Sequence, residues 1–204
     1  MLVSSYNNKA FSDLLTVQLK KSEAENQTFE RKDDITKLVD SKSGETVGFN
    51  FHAASQMIKI DESGPIILSE EQVEALNQGL KEAGFEDELE ADTTPKLVIG
   101  YVKACEPHED SDHLSVTQTE VDNGEVLQIV CGAKNIAKGQ KVVVAKPGAI
   151  MPDGLVIWPG ELRGVESNGM ITSSTELGVE VPEAMRSGIL VLSEEAEVGK
   201  EFTF

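Results

Sequence analysis

The sequence is poor in cysteine, in aromatic residues and in long apolar runs. Its two cysteines, Cys105 and Cys131, form no Cys-x-x-Cys motif and fit neither a zinc knuckle nor the disulfide framework of a small secreted protein. We expect both to be buried, reduced thiols. No stretch has the length and apolarity of a membrane span, and the N-terminus lacks a basic leader. The sequence therefore predicts a cytoplasmic protein with no membrane partner.

Positive charge is scarce as well. The chain has 18 Lys and Arg against 36 Asp and Glu, which gives a net charge of −18, and both halves are acidic. General affinity for phosphate backbones comes from cations that displace counterions, so DNA is not an expected partner. Within 129–171, however, five cations outnumber three acids. We expect a local cationic face there.

The clearest boundary is the acidic stretch 85–95, in which five acids fall within seven residues before Pro95. Such a charged stretch ending in proline is typical of a solvated linker. The sequence predicts a small α+β domain of unknown role over 1–88, a linker over 89–95 and a second domain over 96–204.

The first domain carries one clear helix pattern. Ser69 and Gln72 have capping-box spacing, apolar residues recur at helical intervals up to Ala83, and Gly84 can end the helix in a left-handed conformation. We predict a helix over 70–83. Short β-rich runs predict strands over 15–19, 35–39 and 47–51.

The second domain is predicted to be all-β. Its predicted strands cover 97–105, 114–121, 125–131, 141–145 and 155–158. Between two of them, Asp122-Asn123-Gly124 favours a tight hairpin, because primed turns need residues that accept positive φ. Short strands separated by glycine-containing turns, with no long helix between them, indicate a small closed or nearly closed barrel.

Two segments of this domain carry candidate binding residues. In 129–135, a buried strand turns at Gly132 and leaves polar residues on an outward loop. In 162–171, two glycines let the backbone approach a ligand, and Arg163 offers a forked donor. Arginine together with serine and asparagine suits phosphate and ribose groups.

These blocks resemble the tRNA-binding domain at the N-terminus of the phenylalanyl-tRNA synthetase β-subunit, which also occurs in methionyl-tRNA synthetase extensions and in freestanding tRNA-binding proteins. The resemblance covers about 96–204 and rests on Gly100-Tyr101-Val102, 108–114, Asp122 with Gly124, 129–135, 162–170, Ser173 and Glu176-Leu177-Gly178. With a domain before the barrel, the chain is similar to freestanding two-domain proteins of the YtpR type. Two positions depart from the family: Glu109 stands where proline is usual and Thr172 where cysteine is frequent.

The resemblance implies an oligonucleotide-binding (OB) fold for 96–204 and a non-catalytic function, the binding of folded tRNA through phosphate and ribose. The residues expected to contact tRNA are Lys134, Asn135, Lys138, Lys141, Lys146, Arg163, Ser167, Asn168, Met170 and Ser173. Few aromatic residues in this half favour recognition by shape over base stacking. The expected partners are tRNA, an aminoacyl-tRNA synthetase and a second copy of the chain. We expect no cofactor.

Other functions fit the sequence less well. Gly164 and Gly169 have the spacing of a Walker loop, but Met170-Ile171 replaces its Lys-Ser/Thr. The segment 108–113 holds two histidines and three carboxylates, which suit a divalent ion, but the resemblance explains it as a structural corner, so no metal is expected. A hydrolase acting on misacylated tRNA and an adaptor that docks on a synthetase stay open as alternatives.

Overall fold

Most of the regular structure is β-strand in the computed structural model, which describes residues 1–8 and 11–203, without the side chain of residue 184. The last residue of the predicted barrel, 204, lies outside the described residues. The chain divides into two units, Met1–Thr94 and Pro95–Phe204. None of the helices in the described part of the chain is long and apolar enough to cross a membrane.

The first unit is built on a six-stranded antiparallel sheet with the strand order β3-β4-β5-β2-β1-β6. The strands are β1 (Val3–Tyr6), β2 (Leu14–Gln18), β3 (Gln27–Lys32), β4 (Ile35–Asp40), β5 (Thr46–His52) and β6 (Gly64–Ile66). The three predicted strands are confirmed as β2, β4 and β5. The sequence did not predict β1, β3 and β6. The edge strands β3 and β6 bury no side chain, and the four-residue β1 is largely buried but carries two serines between its apolar residues, so none of the three shows apolar alternation.

One helix, α1 (Glu70–Glu82), covers a single face of this sheet. The predicted capping box at Ser69 is present, and Gly84 follows the helix with φ +77. The helix packs its apolar face into the core of the first unit, whose buried members include Leu15, Phe49, Phe51, Val73, Leu76 and Leu80. The helix prediction is confirmed, and the first unit is an α+β structure.

The prediction that 85–95 is a solvated linker is wrong for its first half. Phe85 and Leu89 are buried in the core of the first unit. The Asn77 side chain donates to the Leu89 carbonyl at 2.9 Å and accepts from its N–H at 2.7 Å. Phe85 and Leu89 are four residues apart, and both side chains turn inward. The acids around them stay at or near the surface.

Asp87 adds a polar contact between this segment and the sheet. Its carboxylate accepts hydrogen bonds from Lys37 and Thr46, both at 2.6 Å. Partial burial by itself raises the pKa of Asp87, but the hydrogen bonds from Lys37 and Thr46 outweigh it, so the pKa lies below its usual value.

The second unit is a nearly closed, barrel-like antiparallel sheet with the order β13-β10-β7-β8-β9, and β14 pairs with β10. Its strands are β7 (Leu97–Pro107), β8 (Ser115–Glu120), β9 (Val126–Cys131), β10 (Lys141–Ala145), β13 (Met170–Ile171) and β14 (Val191–Leu192). A separate hairpin pairs β11 (Gly160–Leu162) with β12 (Val165–Ser167), and a short helix, α2 (Ser174–Leu177), follows β13. Valines and isoleucines from β7, β9 and β10 fill the interior.

Four of the five strands predicted for this unit are confirmed as β7 to β10, and the hairpin turn has positive φ at both Asn123 and Gly124. The strand predicted over 155–158 is wrong. Its residues fold back on the preceding turn, where Met151 N–H donates to Leu155 at 2.8 Å, so they pair locally rather than with the sheet. The strands β11 and β12 lie in a segment for which the sequence predicts no strand.

The cysteines are both free, as expected, but they differ in burial: Cys131 is buried and Cys105 half-buried. Removal from water raises the pKa of the Cys131 thiol, which keeps it protonated and unreactive near neutral pH. Cys131 therefore serves as a small apolar residue of the barrel interior.

Replacing Leu89 with alanine tests whether 85–89 belongs to the first unit. The truncation leaves a cavity in a packed core and is expected to lower the free energy of unfolding by about 2–4 kcal/mol. Urea denaturation followed by circular dichroism measures the loss. The control is Leu155→Ala, at a leucine that is 53% exposed. A loss at Leu89 no larger than in this control would restore the solvated-linker interpretation.

Asp87 should contribute to the acid sensitivity of the fold. Its folded-state pKa lies below the unfolded value of 3.8. The stabilisation is therefore complete above that value and is lost as the pH falls through the folded pKa. Thermal denaturation from pH 6 to about pH 2 should show a smaller acid-induced decrease for Asp87→Asn than for the unsubstituted chain. Asp61→Asn, at an exposed ion pair with Lys59, is the matched control and should not change the decrease.

Candidate nucleic-acid interface

Two loops leave the sheet at the same end of the barrel. Ser115 pairs with Cys131, so the connection 108–114 before β8 and the connection 132–140 after β9 begin beside each other. A Cβ on Gly132 would lie 3.4 Å from the Leu114 side chain, which shows how closely the two loops start. We call these two connections, with the tip of the β11–β12 hairpin, the loop end of the barrel. The last residues of 132–140 run back along β7, where Gly139 and Gln140 bond to Val102.

The connection 132–140 carries two cations that no acid among the described residues neutralises. Lys134 and Lys138 are exposed, and within the described chain neither side chain has a hydrogen-bond or ion-pair partner. An exposed ammonium group without a bound carboxylate has all three donors available for an anion. These two lysines are the freest of the predicted site residues.

Asn135 is exposed, but its side chain is hydrogen-bonded within the fold and shapes this connection. Its side-chain amide donates to the Ile189 carbonyl at 3.0 Å and accepts from the Ile189 N–H at 2.9 Å. Gly188 is required beside it, because a Cβ there would lie 2.0 Å from the Asn135 oxygen. The Gln140 side chain donates to the Asn135 carbonyl at 2.9 Å. Asn135 thus fixes the loop on which the two lysines stand.

Lys141 and Lys146 are both held by partners within the barrel. Lys141 donates to the carbonyls of Glu194 and, at 2.7 Å, of Ala196. Lys146 is buried and pairs with the half-buried Asp122 at 2.7 Å. Breaking a buried ion pair leaves an uncompensated charge and costs stability, so we expect Lys146 to stay paired with Asp122.

Arg163 lies at the tip of the β11–β12 hairpin. Leu162 pairs with Val165, which leaves Arg163 and Gly164 as a two-residue turn with φ of +49 and +79. The exposed guanidinium donates through Nη1 to the Asp110 carbonyl at 2.7 Å. That contact uses one of the five guanidinium donors and leaves the others free to bind an anion.

His108 holds the hairpin against the loop 108–114. It is 3% exposed, its Nδ1 lies 3.0 Å from the Asp110 amide, and its Nε2 lies 3.1 Å from the Leu162 carbonyl. An amide can only donate and a carbonyl can only accept, so Nε2 carries the proton of a neutral ring. His108 and Arg163 together join the hairpin to the loop at two points.

The other candidate metal ligands of this loop face solvent. His113 Nδ1 lies 2.8 Å from Asp112, and the hydrogen bond from His113 lowers the pKa of that carboxyl. In the part of the chain that the structure describes, no group of three or more His, Cys, Asp or Glu side chains is arranged to hold a metal ion. His108 instead has both ring nitrogens engaged.

The remaining predicted site residues, Ser167, Asn168, Met170 and Ser173, close and support the barrel. Ser167 is buried, and its hydroxyl accepts from the Val130 N–H at 3.1 Å, while the Asn168 N–H donates to the Gln128 carbonyl at 2.8 Å. Met170 pairs with Ala145 in the sheet. The Ser173 hydroxyl caps α2 by accepting from the Glu176 N–H at 3.2 Å.

The structure thus separates the ten predicted site residues into two groups. Lys134, Lys138 and Arg163 have free donors at the loop end, and the other seven are engaged in holding the barrel together. The resemblance assigned His108 a structural role in the corner, but sequence reasoning did not predict that it bonds to Leu162 beside Arg163. The pattern that could have revealed it is an isolated histidine directly after a strand, since such a residue can be buried when both nitrogens find backbone partners.

Comparison with known proteins follows the two units. Residues 97–201 match the family described as "Putative tRNA binding domain", and residues 22–92 match a domain of unknown function, DUF4479. The chain is 46% identical over 200 residues to "Putative tRNA-binding protein YtpR" of Bacillus subtilis, covering 98% of each chain. It is 53% identical over 111 residues to the phenylalanine--tRNA ligase beta subunit of Oceanobacillus iheyensis, covering 53% of this chain and 14% of that protein.

A second such ligase subunit, from Geobacillus kaustophilus, is 44% identical over 134 residues, covering 64% of this chain and 15% of that protein. The match to the ligase subunits is therefore confined to a small part of their length, whereas the match to the Bacillus subtilis protein extends over both units. The resemblance inferred from the motifs is confirmed: the chain belongs to the tRNA-binding domain family and shares the two-domain arrangement of the YtpR protein.

Proposed function

We propose that this protein binds folded tRNA without chemically changing it, and that the loop end of the second unit is the binding surface. The observation that carries the proposal is the family match over 97–201, which spans the barrel and every cation of the loop end. The Bacillus subtilis relative, whose name describes it as tRNA-binding, aligns over nearly the whole chain.

The strand arrangement supports an OB fold for this unit. The meander β7-β8-β9 is followed by β10, which returns to the other side of β7, and the sheet closes through the segment after β12. A five-stranded, partly open barrel with such a return connection is the architecture of OB folds, which present loops and one sheet face to nucleic acid.

Lys134, Lys138 and Arg163 are the proposed phosphate contacts. Their positions on loops fixed by Asn135 and His108 make them a preformed set, which lowers the entropy lost on binding. Tyr101 and Trp158 are half-buried, so the barrel offers little ring surface for stacking. Contacts to phosphates and 2′-hydroxyls of a folded RNA fit this surface better than contacts to unstacked bases.

The geometry around His113 argues against the hydrolase alternative. Ser111 Oγ and the Asp112 carboxylate both approach the same ring nitrogen, Nδ1, at 3.3 and 2.8 Å. A serine nucleophile and an orienting acid must contact opposite nitrogens of the histidine, so this trio cannot work as a catalytic triad. We propose binding alone, with no catalytic residue.

Salt dependence tests the number of phosphate contacts. With three cations on phosphates, the logarithm of affinity should fall with the logarithm of salt concentration at a slope of roughly −2 to −3. Replacing Lys134, Lys138 or Arg163 singly with glutamine should flatten the slope by about one and weaken binding to all tRNAs alike. Filter binding or anisotropy with bulk tRNA over a salt series measures both quantities.

The matched controls are Lys200→Gln, an exposed lysine of the same unit paired with Glu197 at 3.0 Å, and Lys20→Gln in the first unit. Neither should change the slope. Equal effects of the controls and the three loop-end variants, or tRNA binding that no loop-end variant weakens, would show that tRNA binds elsewhere. Catalytic turnover of misacylated tRNA by the unsubstituted protein would overturn the non-catalytic proposal.

His108→Phe tests how Arg163 is positioned. Phenylalanine fills the buried space but cannot bond to the Asp110 amide or the Leu162 carbonyl, so the hairpin should loosen. We expect faster amide exchange over 162–165 and a weaker tRNA affinity by about three- to tenfold, with the salt slope flattened as in Arg163→Gln. Exposed His113→Phe is the control. Loosened exchange with unchanged affinity would show that Arg163 takes no part in binding.

A further inference from the structure

We propose that the first unit pairs with a second copy of itself through the free edge of β3, so that two sheets join in one antiparallel sheet across a two-fold axis. The strand β3 ends the sheet order and therefore has a paired neighbour, β4, on one side only among the described residues. Nothing in this inference depends on tRNA binding.

The backbone of β3 points half of its hydrogen-bonding groups away from the sheet. The Ser41 N–H donates to the Asn26 carbonyl at 2.7 Å, and the His52 N–H donates to the Asp34 carbonyl at 2.7 Å. These two bonds show which residues of β3 direct their backbone groups toward β4. The even-numbered residues of β3 bond to β4. The odd-numbered Phe29 and Arg31 direct their N–H and C=O groups to the free edge. An edge with free backbone groups is a template for another strand.

The side chains of β3 leave this edge open. Phe29 is 73% exposed, the most exposed large apolar side chain of the described residues. Lysines on edge strands often discourage pairing with another chain. Lys32 instead turns toward its own unit, where its Nζ donates to the Gly84 carbonyl at 2.9 Å and lies 4.4 Å from the Phe85 ring centre. Glu30 pairs with Lys32 at 3.3 Å on the same face. Phe29 is therefore exposed at the centre of the edge with no lysine beside it, although Glu30 and Arg31 follow it in the strand.

Charge decides the register of the pairing. A two-fold axis at Glu30 places this carboxylate opposite its own copy, and an axis at Arg31 does the same with two guanidinium groups; both arrangements repel. An axis at Phe29 places the two Phe29 side chains opposite each other and Gln27 opposite Arg31, with no like charges facing in the strand. Of these three axes, charge favours the one at Phe29.

The Phe29 axis also fits the available backbone groups. Phe29 is an outward residue, so its N–H and C=O can bond to those of its copy, and the Arg31 N–H can reach the Gln27 carbonyl of the second copy. The Gln27 N–H is already bonded to Ala24 within its own chain, so the pairing makes about four backbone hydrogen bonds. Leu38 lies beside Phe29 on the same face and extends the apolar contact.

Such an edge pairing is a small interface, so we expect a weak dimer that forms only at high protein concentration. Sedimentation equilibrium of the full chain over a concentration series up to about 0.5 mM should show a monomer–dimer equilibrium. Phe29→Asp places two carboxylates at the axis and should weaken the dimer by about 30-fold or more. The control is Ile67→Asp, at an apolar residue that is 53% exposed outside β3, and it should leave the dimer intact.

Crosslinking tests the register. In a hydrogen-bonded antiparallel pair the two Cα atoms are about 5.5 Å apart, which permits a disulfide. Phe29→Cys should form a disulfide dimer on mild oxidation, whereas Arg31→Cys, displaced from its own copy by several residues, and the unsubstituted chain should not. A chain that stays monomeric at 0.5 mM, a dimer that Phe29→Asp leaves intact, or equal crosslinking at 29 and 31 would overturn the proposal.

Discussion

The second unit depends on one closure, where the end of β12 meets β9. The Val130 N–H donates to the Ser167 hydroxyl, where a regular sheet would offer a backbone carbonyl. The N–H of the next residue, Asn168, donates to the Gln128 carbonyl. Gly169 follows with φ +137, and a Cβ there would lie 3.0 Å from the Ala145 carbonyl. Without this close approach the sheet would have two long free edges. The closure also fixes where the β11–β12 hairpin leaves the barrel, and so where Arg163 lies.

An acidic protein can present a cationic surface only if its few cations are not neutralised within the fold. Lys141 and Lys146 show the structural use of lysine: one holds carbonyls of the C-terminal segment, and the other is buried with Asp122. Lys134 and Lys138 show the other use, since they lie on a loop held by the Asn135 hydrogen bonds and have no partner among the described residues. Affinity for RNA then depends on a few placed charges, because the net charge of −18 opposes general attraction.

The sequence predicted the features that depend on local patterns and missed those that depend on partners distant in the chain. The helix α1 and the turn at Asn123 and Gly124 follow from capping and positive φ, which neighbouring residues determine. The burial of Leu89 and the pairing of Lys146 with Asp122 arise only after folding, since no local pattern distinguishes a paired lysine from a free one. The family motifs indicated the region of the proposed site, but they could not separate cations with free donors from residues that close the barrel, because both groups are polar and lie in the same segments.

The central claim is that tRNA meets the barrel at its loop end, and mapping by nuclear magnetic resonance tests it most directly. Backbone amide shifts of the isotopically labelled full chain would be followed during titration with unlabelled tRNA. The account predicts that the largest changes fall in 108–114, 132–140 and 162–165, and that the turn 121–125 at the far end of β8 and β9 stays unchanged. Changes concentrated in 121–125 or in the first unit, with the loop end unaffected, would contradict it.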